Sequence, residues 1–433
     1  MIKKTKYIKD TKNLVGSLPT IRYMNPKYIF LATANARCPK AEIFVKEGEH
    51  VNKYQVIGMR HASFFDQPIH SSVSGTYLGL EKHYHRNGKL TDFIKIENDF
   101  KETKDPIYKE RTPEEIAKLS KEEMTEIIKQ AALVGLGGSS FPTYIKFQTD
   151  KPIHTILVNG IECEPYITSD HRIMLEMPYR IIYGIKYAMQ AFNCKKALIC
   201  IKSKYKDIKA LYTQVLKEFP DDGIEICCVK NYYPQGWEVA MIKEATGIKL
   251  NPGELPSNRG IINFNVSTMV GIYKAIKYNI PVIVRNITVT GDGIQHPHNL
   301  RVLVGTAFSE ILPLCGGYKN PEKEKVFILG GPMMGAAVPS DDVIITKTVT
   351  SIIVLDKTDY KEEPCVRCGS CVLSCPVGLE PVQIMNAVKS LDKERIKSLN
   401  PLRCIECGLC SYSCTSKIPV TDYVKRAKIF AKL

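Results

Sequence analysis

The stretch "CVRCGSCVLSCP", residues 365–376, determines what the C-terminal part of this 433-residue chain is built to hold. Its cysteine spacing returns in "CIECGLCSYSC", residues 404–414. Two residues between successive cysteines let one turn of loop supply three thiolates, whereas a [4Fe-4S] cluster needs four. The repeat therefore predicts two such clusters and a role in electron transfer.

Each cluster is expected to take three cysteines from one run and the last cysteine of the other, as in bacterial two-cluster ferredoxins. The first predicted ligand set is Cys365, Cys368, Cys371 and Cys414. The second is Cys404, Cys407, Cys410 and Cys375. Structural zinc is an alternative, but zinc sites usually combine two cysteine couplets. Disulfides fit less well, because residues three apart in a tight loop rarely have bridging geometry and the total of fifteen cysteines is odd.

The remaining seven cysteines lie mostly in apolar segments that resemble strands. Their pattern predicts buried free thiols in a reducing compartment. They are Cys38, Cys163, Cys194, Cys200, Cys227, Cys228 and Cys315.

The chain carries a formal net charge of +15, which favours an acidic partner such as an anionic lipid surface or an acidic protein. Nucleic acid is not expected, because the lysines are spread over the whole length without an arginine-rich tract. No run approaches the roughly 18 apolar residues needed to span a bilayer. The basic N-terminus also lacks the apolar segment of a signal peptide. We therefore expect a soluble protein or one peripheral to a membrane.

The length suggests roughly three or four domains. Short β-prone runs broken by turns, between residues 28 and 96, predict a small sandwich or barrel. A helix is expected over residues 113–132, with Thr112 as its N-cap. Between residues 155 and 246, apolar strands alternate with amphipathic helices, which predicts a parallel, doubly wound sheet. A mixed β/α unit follows from residue 281, and the cluster segment begins near residue 361.

The glycine loop "GLGGSSFPTYIK", residues 135–146, carries the second chemical signal. Glycines let backbone N–H groups approach an anion closely, and Lys146 can neutralise a phosphate. A plain helix-capping loop explains the glycines equally well. Two one-electron clusters nevertheless call for a cofactor that converts electron pairs into single electrons, and flavin does this.

Further blocks follow the glycine loop in order: "NGIECEP" at residues 159–165 with Asp170 and Arg172, "YPQGWE" at 233–238, Asn265-Val266, and "GGPMMG" at 330–335. Together they resemble the RnfC family, the peripheral subunit of the Rnf (Rsx) electron transport complex. That family is related to the NADH-oxidising flavoprotein subunit of respiratory complex I.

The resemblance implies a multidomain α/β fold in four parts. They are an N-terminal β barrel-sandwich hybrid (1–100), a Rossmann-like parallel-sheet domain for FMN and NADH (113–275), a β-grasp-like SLBB segment (281–345) and a C-terminal helical domain with two [4Fe-4S] clusters (355–433).

The resemblance also implies the cofactor-binding residues. Noncovalent FMN would be held by Gly135, Gly137 and Gly138, with Lys146 near its phosphate and Asn159, Glu162 and Asn265 around the flavin. NAD(H) would stack on Phe141, with Glu164 and Glu238 near the nucleotide and Gly236 in the same wall. Since Glu is usually exposed, surface ion pairs are the alternative for Glu164 and Glu238.

This sequence departs from the family pattern in several places. Ser139-Ser140 replaces an Ala-Gly pair and Trp237 replaces a glycine, so bulk is expected where backbone would approach the flavin or nucleotide. The Trp237 ring is also suited to stacking on the cofactor. A family Gly-Gly-x-His-Pro element near the N-terminus is missing. Thr415 replaces the proline after the last cysteine, and because that proline ligates nothing the second cluster should survive.

The function implied is that of the peripheral flavin-and-cluster subunit of a membrane-associated, ion-translocating ferredoxin:NAD+ oxidoreductase. Hydride would pass between NAD(H) and FMN, and single electrons would pass through the clusters. The expected partners are membrane subunits and ferredoxin, with peripheral attachment on the cytoplasmic side of the cell membrane. Two alternatives stay open at this point: a soluble flavoprotein of the same type that feeds a dedicated reductase, and an electron relay without flavin.

Overall fold

The N-terminal region is built from short strands, as its turn-rich sequence predicts. The computed structural model describes residues 7–35, 37–220 and 222–432. After a 3-10 turn at Lys12–Leu14, the strands are β1 (Ile21–Tyr23), β2 (Tyr28–Ala32), β3 (Lys40–Ile43), β4 (His50–Val51), β5 (Val56–His61), β6 (Asp66–His70), β7 (Gly75–Tyr84) and β8 (Leu90–Asn98). Strands β2-β8-β7-β4 form one sheet and β3-β5-β6 another. Their apolar faces enclose a common core, in agreement with the predicted barrel-sandwich fold.

The central region is a parallel α/β unit. It contains α1 (Pro113–Ala117), α2 (Lys121–Gln130), α3 (Thr143–Phe147), β9 (Thr155–Asn159), α4 (Ser169–Glu176), α5 (Pro178–Phe192), β10 (Ala197–Lys202), α6 (Lys206–Val215), β11 (Ile224–Val229), α7 (Glu238–Thr246), β12 (Ile261–Asn265) and α8 (Val266–Tyr278). The strands run parallel in the order β11-β10-β9-β12. The predicted Rossmann-like sheet is confirmed. Since the carboxyl ends of β9 and β12 are neighbours, the loops after them meet at one edge.

The single helix predicted over residues 113–132 is wrong in one respect, because it is broken into α1 and α2. Each of these helices begins with its own capping box, Thr112 with Glu115 and Ser120 with Glu123. A second capping box inside the predicted helix favours a new helix start at that point. Thr112 is the N-cap, as expected.

The third unit is a mixed sheet. It comprises β13 (Val284–Thr290), β14 (His298–Leu303), α9 (Phe308–Ile311), β15 (Lys325–Leu329), β16 (Ala336–Val338) and β17 (Ser351–Asp356). The strand order is β1-β14-β13-β17-β15-β16. This sheet therefore extends beyond the predicted range 281–345, since it recruits β1 from the N-terminal region and β17 from the segment ahead of the clusters.

The C-terminal unit is helical: α10 (Ser370–Leu373), α11 (Pro381–Lys389), α12 (Lys393–Ser398), α13 (Leu409–Tyr412) and α14 (Val420–Phe430). The cysteine repeat is also a backbone repeat. Arg367 and Glu406 occupy equivalent positions with φ of 57° and 56°, and Gly369 and Gly408 follow them with φ of 74° and 78°. The two loops therefore have the same local conformation.

All fifteen cysteines are free thiols, so the disulfide alternative is excluded. Of the seven outside the repeat, Cys38, Cys194, Cys200 and Cys315 are buried, as predicted. Cys163 and Cys227 are only partly buried and Cys228 is exposed, which corrects the prediction for these three. Cys227 and Cys228 lie on β11, and an edge strand covers its side chains less completely than an inner one. In the described part of the chain, no helix has the length and hydropathy needed to cross a membrane.

Candidate functional site

A cavity of about 550 Å³ lies at the carboxyl edge of the parallel sheet. It is lined by loops that follow β9 and β12, by the glycine loop, by the start of α7 and by the loop between β15 and β16. All eleven residues predicted to bind a cofactor contribute to its walls: Gly135, Gly137, Gly138, Phe141, Lys146, Asn159, Glu162, Glu164, Gly236, Glu238 and Asn265. Residues up to 130 positions apart in sequence thus meet around one space large enough for a cofactor.

The glycine loop forms one wall because it folds back on itself. The Gly135 N–H donates to the Phe141 carbonyl at 2.8 Å, and the Leu136 N–H donates to Thr268 Oγ1 on α8 at 3.0 Å. A Cβ on Gly137 would lie 2.9 Å from the Asn265 side chain, and Gly138 has a φ of +107°. Glycine is required at both positions, so this backbone faces the cavity without side chains.

Asp170 organises the polar floor of the cavity. Its carboxylate accepts 2.7 Å hydrogen bonds from Asn265 Nδ2 and from Ser267 Oγ at the start of α8. Asn265 is also the N-cap of α8, since its Oδ1 accepts from the Ser267 N–H at 2.8 Å. Asn265 is therefore held in a single orientation beside the glycine loop.

Glu162 is buried beside Lys12, a residue that the sequence analysis missed. Glu162 Oε2 lies 3.2 Å from Lys12 Nζ, and both side chains are at most 7% exposed. Glu162 Oε1 accepts from the Asp170 N–H at 2.7 Å. Burial raises the pKa of Glu162 to about 7, although Lys12 acts in the opposite direction. Lys12 precedes the cofactor motifs by more than 120 positions and belongs to none of them, so only the fold identifies it.

Glu164 connects the cavity to the cluster unit. Its carboxylate accepts from the Met333 N–H at 3.0 Å and lies 3.2 Å from the Tyr233 hydroxyl. That hydroxyl is also 2.8 Å from the Cys407 carbonyl oxygen. Any Cβ on Gly331 would overlap the Glu164 carboxylate, which explains the glycine there. Burial raises the pKa of Glu164 to about 7.

The alternative of surface ion pairs for Glu164 and Glu238 is not what the structure has. Among the described residues neither carboxylate is within ion-pair distance of a cation. Glu238 faces the cavity together with Lys146. Lys146 Nζ donates to the Asn263 carbonyl at 2.7 Å, and burial lowers its pKa while Glu238 opposes that shift. Lys146 thus brings a cation to the cavity without a directly bonded carboxylate.

The bulky departures from the family pattern do not fill the cavity. Ser139 and Trp237 contribute to its wall, whereas Ser140, with a φ of 57°, lines a different cavity on the far side of the glycine loop. Both positions therefore narrow the site less than the sequence suggests, and space for a planar cofactor is retained.

The cysteines of the repeat group in the crossed manner expected for two clusters. Cys375 lines an enclosed cavity together with Cys404, Cys407 and Cys410, although it belongs to the first run. In a neighbouring cluster of side chains Cys371 packs near Cys414. Cys368 Sγ lies 3.8 Å from the hydroxyl of Thr415, the residue after Cys414.

No group of three or more His, Cys, Asp or Glu side chains in the described residues is arranged around a single metal ion. A [4Fe-4S] cluster differs from a single ion, because its four thiolates each bind a separate iron and enclose a larger volume. The ring of Cys375, Cys404, Cys407 and Cys410 is an all-thiolate donor set around such a volume. These residues fit an iron–sulfur cluster.

The second cysteine run borders the first cavity. Ile405 lies between Cys404 and Glu406 in sequence and lines that cavity directly. A cofactor in the cavity and a cluster on the second run would therefore be separated by little more than the Ile405 side chain and its backbone.

Comparisons with known families agree with this division of the chain. Residues 3–101 match the RnfC barrel sandwich hybrid domain, residues 128–274 the Nuo51 FMN-binding domain, residues 286–337 the SLBB domain and residues 357–415 a 4Fe-4S dicluster domain. The chain thus has an FMN-binding domain and a dicluster domain.

Two solved structures of a NAD+-reducing [NiFe]-hydrogenase share the fold. The chain in the H2-reduced state has a TM-score of 0.52 at 14% identity, over 73% of this chain and 61% of that chain. The chain in the air-oxidised state has a TM-score of 0.51 at 15% identity, over 70% and 60%.

Whole-chain relatives are more similar. The RnfC-type subunit of the proton-translocating ferredoxin:NAD(+) oxidoreductase complex of Clostridium ljungdahlii is 34% identical over 427 residues, 97% of this chain and 91% of the relative. The corresponding subunit of the Na(+)-translocating complex of Acetobacterium woodii is 33% identical over 346 residues, 78% and 76%. With its domains in the same order and this identity over nearly its full length, the chain belongs to the RnfC family, whose members are subunits of the multi-protein Rnf complexes.

Proposed function

We propose that this protein exchanges hydride between NAD(H) and FMN and relays electrons singly through two [4Fe-4S] clusters, as the RnfC subunit of an Rnf-type ferredoxin:NAD+ oxidoreductase. Its partners would be the membrane subunits of that complex and ferredoxin, with the protein attached peripherally on the cytoplasmic side of the membrane. The observation that carries the proposal is the single cavity, because all eleven predicted residues and Ile405 of the second cysteine run line it.

The residues present fit FMN. Backbone at Gly135, Gly137 and Gly138 offers a surface without side chains, and Lys146 offers a cation. The hydrogen-bonded pair of Asp170 and Asn265 gives a rigid polar edge. Bound FMN would supply the conversion of a two-electron hydride transfer into single electrons.

The nucleotide would lie against Phe141 and between the acidic residues Glu164 and Glu238. Trp237 adds a second aromatic surface to the same cavity. A pKa of about 7 lets the Glu164 carboxyl hold a proton near neutral pH. It can then approach a polar nucleotide group without adding a full negative charge.

The proposed ligand sets are those of the crossed assignment. Cys375, Cys404, Cys407 and Cys410 would hold the inner cluster, beside the cavity. Cys365, Cys368, Cys371 and Cys414 would hold the outer cluster. Cys365 and Cys368 are exposed, so the outer cluster would exchange electrons with the partner subunits.

A direct test uses the protein purified without oxygen. We expect about one FMN and about eight irons per chain, with flavin and clusters bleached by NADH. Eight irons without flavin and without bleaching would instead identify a flavin-free relay. Copurification with membrane subunits separates the Rnf-type protein from a soluble donor to a dedicated reductase.

A glycine pair tests the cavity itself. Gly137→Ala places a methyl group 2.9 Å from Asn265 and should lower FMN content while iron content stays the same. Gly253→Ala is the control, because it carries a left-handed backbone, φ +80°, with open space around its Cβ. Equal loss of FMN in both variants would contradict the proposed position of FMN.

A further inference from the structure

A second cavity, of about 800 Å³, lies on the opposite side of the glycine loop. It is enclosed by β2, by β5 and β6, by the turn after β7, by residues 138–140 and by residues 346–348. Arg86, Gly138 and Ser139 belong to the walls of both cavities. The glycine loop thus separates the proposed flavin site from a larger space beneath the N-terminal domain.

The second cavity has a strongly basic lining. Its only acidic lining residue in the described chain is Glu406, and that carboxylate is ion-paired with Lys428. The basic side chains are Arg37, Arg60, His70, His85, Arg86, Lys347 and Lys432. This contrasts with the flavin cavity, where Glu162, Glu164, Asp170 and Glu238 outnumber the cations.

The central cations have only neutral partners. Arg60 is 7% exposed and donates to the Ala32 carbonyl at 2.8 and 2.6 Å and to Gln67 Oε1 at 3.2 Å. Lys347 Nζ donates to the Ala132 carbonyl at 3.2 Å. Arg86 donates to the carbonyls of Gly138 and Thr348. Burying charges without counterions costs several kcal/mol each, so a bound anion would stabilise this arrangement.

Two buried histidines face the same space with unused polar atoms. His70 is 3% exposed, and within the described structure neither ring nitrogen makes a hydrogen bond of standard geometry, although the backbone of Gln130 lies near enough to affect its pKa. The Nδ1 atom of His85, which is 5% exposed, also lacks a partner there. Such atoms are uncommon in folded proteins and often indicate an absent ligand or water.

We propose that this cavity is a second binding site, which takes the phosphate or diphosphate group of a small molecule distinct from the FMN and NAD(H) of the neighbouring cavity. Two guanidinium groups, a lysine and two histidines around one space match the several oxygens of such a group. The volume is within the usual range for small-molecule sites. Since Arg86 and Ser139 contact both spaces, an occupant would lie against the back of the glycine loop.

Binding should be accompanied by proton uptake. Burial, followed by the charge of Arg60, lowers the pKa of Lys347 well below its usual value. Burial and neighbouring cations likewise lower the pKa of His70, and that of His85 to about 4. An anion raises these pKa values again, so protons bind with it near neutral pH. The other charged groups facing them are Arg37, Arg86, Lys432 and the paired Glu406.

The test is calorimetric titration of the FMN-loaded, cluster-loaded protein with inorganic pyrophosphate. We expect one site per chain and an apparent enthalpy that depends on the buffer's ionisation enthalpy in the sense of proton uptake. Lys347→Gln and Arg37→Gln should each weaken binding about tenfold, as loss of a charge-assisted contact would. Arg37 is exposed, so its substitution leaves the core intact. ADP as a second titrant distinguishes the source, since tighter binding than pyrophosphate indicates a nucleotide and equal or weaker binding indicates free diphosphate.

Lys89→Gln is the matched control, because Lys89 is exposed on the same hairpin and does not line the cavity. It should bind pyrophosphate like the wild type. Three results would overturn the proposal: no binding, equal weakening by Lys89→Gln and Lys347→Gln, or pyrophosphate acting as a competitor of NADH in flavin reduction. The last result would assign the anion to the nucleotide site already described.

Discussion

The two cysteine runs share a sequence pattern and a backbone conformation but have different surroundings. In the first run Cys365 and Cys368 are exposed, and the neighbouring Val366 and Leu373 are 69% and 70% exposed. In the second run Cys407 and Leu409 are buried against Tyr233 and Met333. The repeat therefore sets the coordination chemistry, whereas the rest of the chain decides which cluster is inner and which is outer.

The largest effect should come from breaking the crossed ligation. Cys375→Ser lies in the first run but should remove the inner cluster, because Cys375 lies with Cys404, Cys407 and Cys410. About four irons should be lost, and NADH should then reduce flavin without reducing the outer cluster. Cys414→Ser should remove the outer cluster and leave the inner one reducible by NADH. Iron analysis and low-temperature EPR after NADH addition distinguish the two variants.

Cys228→Ser is the control, since Cys228 is an exposed thiol far from the repeat in sequence. It should retain about eight irons. Loss of the outer cluster in Cys375→Ser, with the inner one intact, would mean that each run holds its own cluster, and the crossed assignment would be wrong.

A smaller effect is expected at the equivalent glycines of the two loops. Gly369→Ala and Gly408→Ala both place a side chain at a left-handed φ, which costs about 1–2 kcal/mol. A Cβ at Gly369 meets open space, whereas one at Gly408 would lie 2.7 Å from the Met333 carbonyl oxygen. Gly408→Ala should therefore be less stable than Gly369→Ala by a further ~1–3 kcal/mol. Anaerobic thermal unfolding of the cluster-loaded proteins measures this difference, and equal stability would show that the inner loop is not packed on Met333.

How far the sequence predicts these features depends on whether the signal is local. The cysteine spacing, the alternation of strands and helices, and the glycine loop are local patterns, and they predicted the fold class correctly. Lys12 beside Glu162 and Tyr233 beside Cys407 are contacts between remote segments, so no local pattern indicates them. The outward placement of Ser140 likewise depends on the backbone conformation of the loop, which its residue type does not reveal.

Tyr233 sharpens the comparison further, because only the inner loop has such a partner within the described structure. Its hydroxyl is 2.8 Å from the Cys407 carbonyl oxygen, and the side chain is 1% exposed. Tyr233→Phe leaves that carbonyl without its donor and should lower the free energy of unfolding by ~1–3 kcal/mol. Tyr360→Phe, near the outer loop at 64% exposure, should change it by less than about 0.5 kcal/mol. Urea denaturation without oxygen measures both, and a similar effect at the two tyrosines would remove this distinction between the loops.

The smallest effect concerns the pH dependence of stability on the inner side. Burial raises the pKa of Glu164 to about 7 in the folded protein, whereas an unfolded Glu titrates near about 4.3. The folded state then binds more protons than the unfolded state between these values, so stability falls as the pH rises through that window. In protein prepared without FMN, Glu164→Gln should remove this contribution and leave an offset independent of pH from the altered contact with Met333. The exposed Glu244→Gln should follow the wild-type curve. If unfolding free energies of wild type and Glu164→Gln run parallel from about pH 4 to 8, Glu164 is ionised as an exposed carboxylate would be, and the contact between the flavin cavity and the inner loop is looser than described.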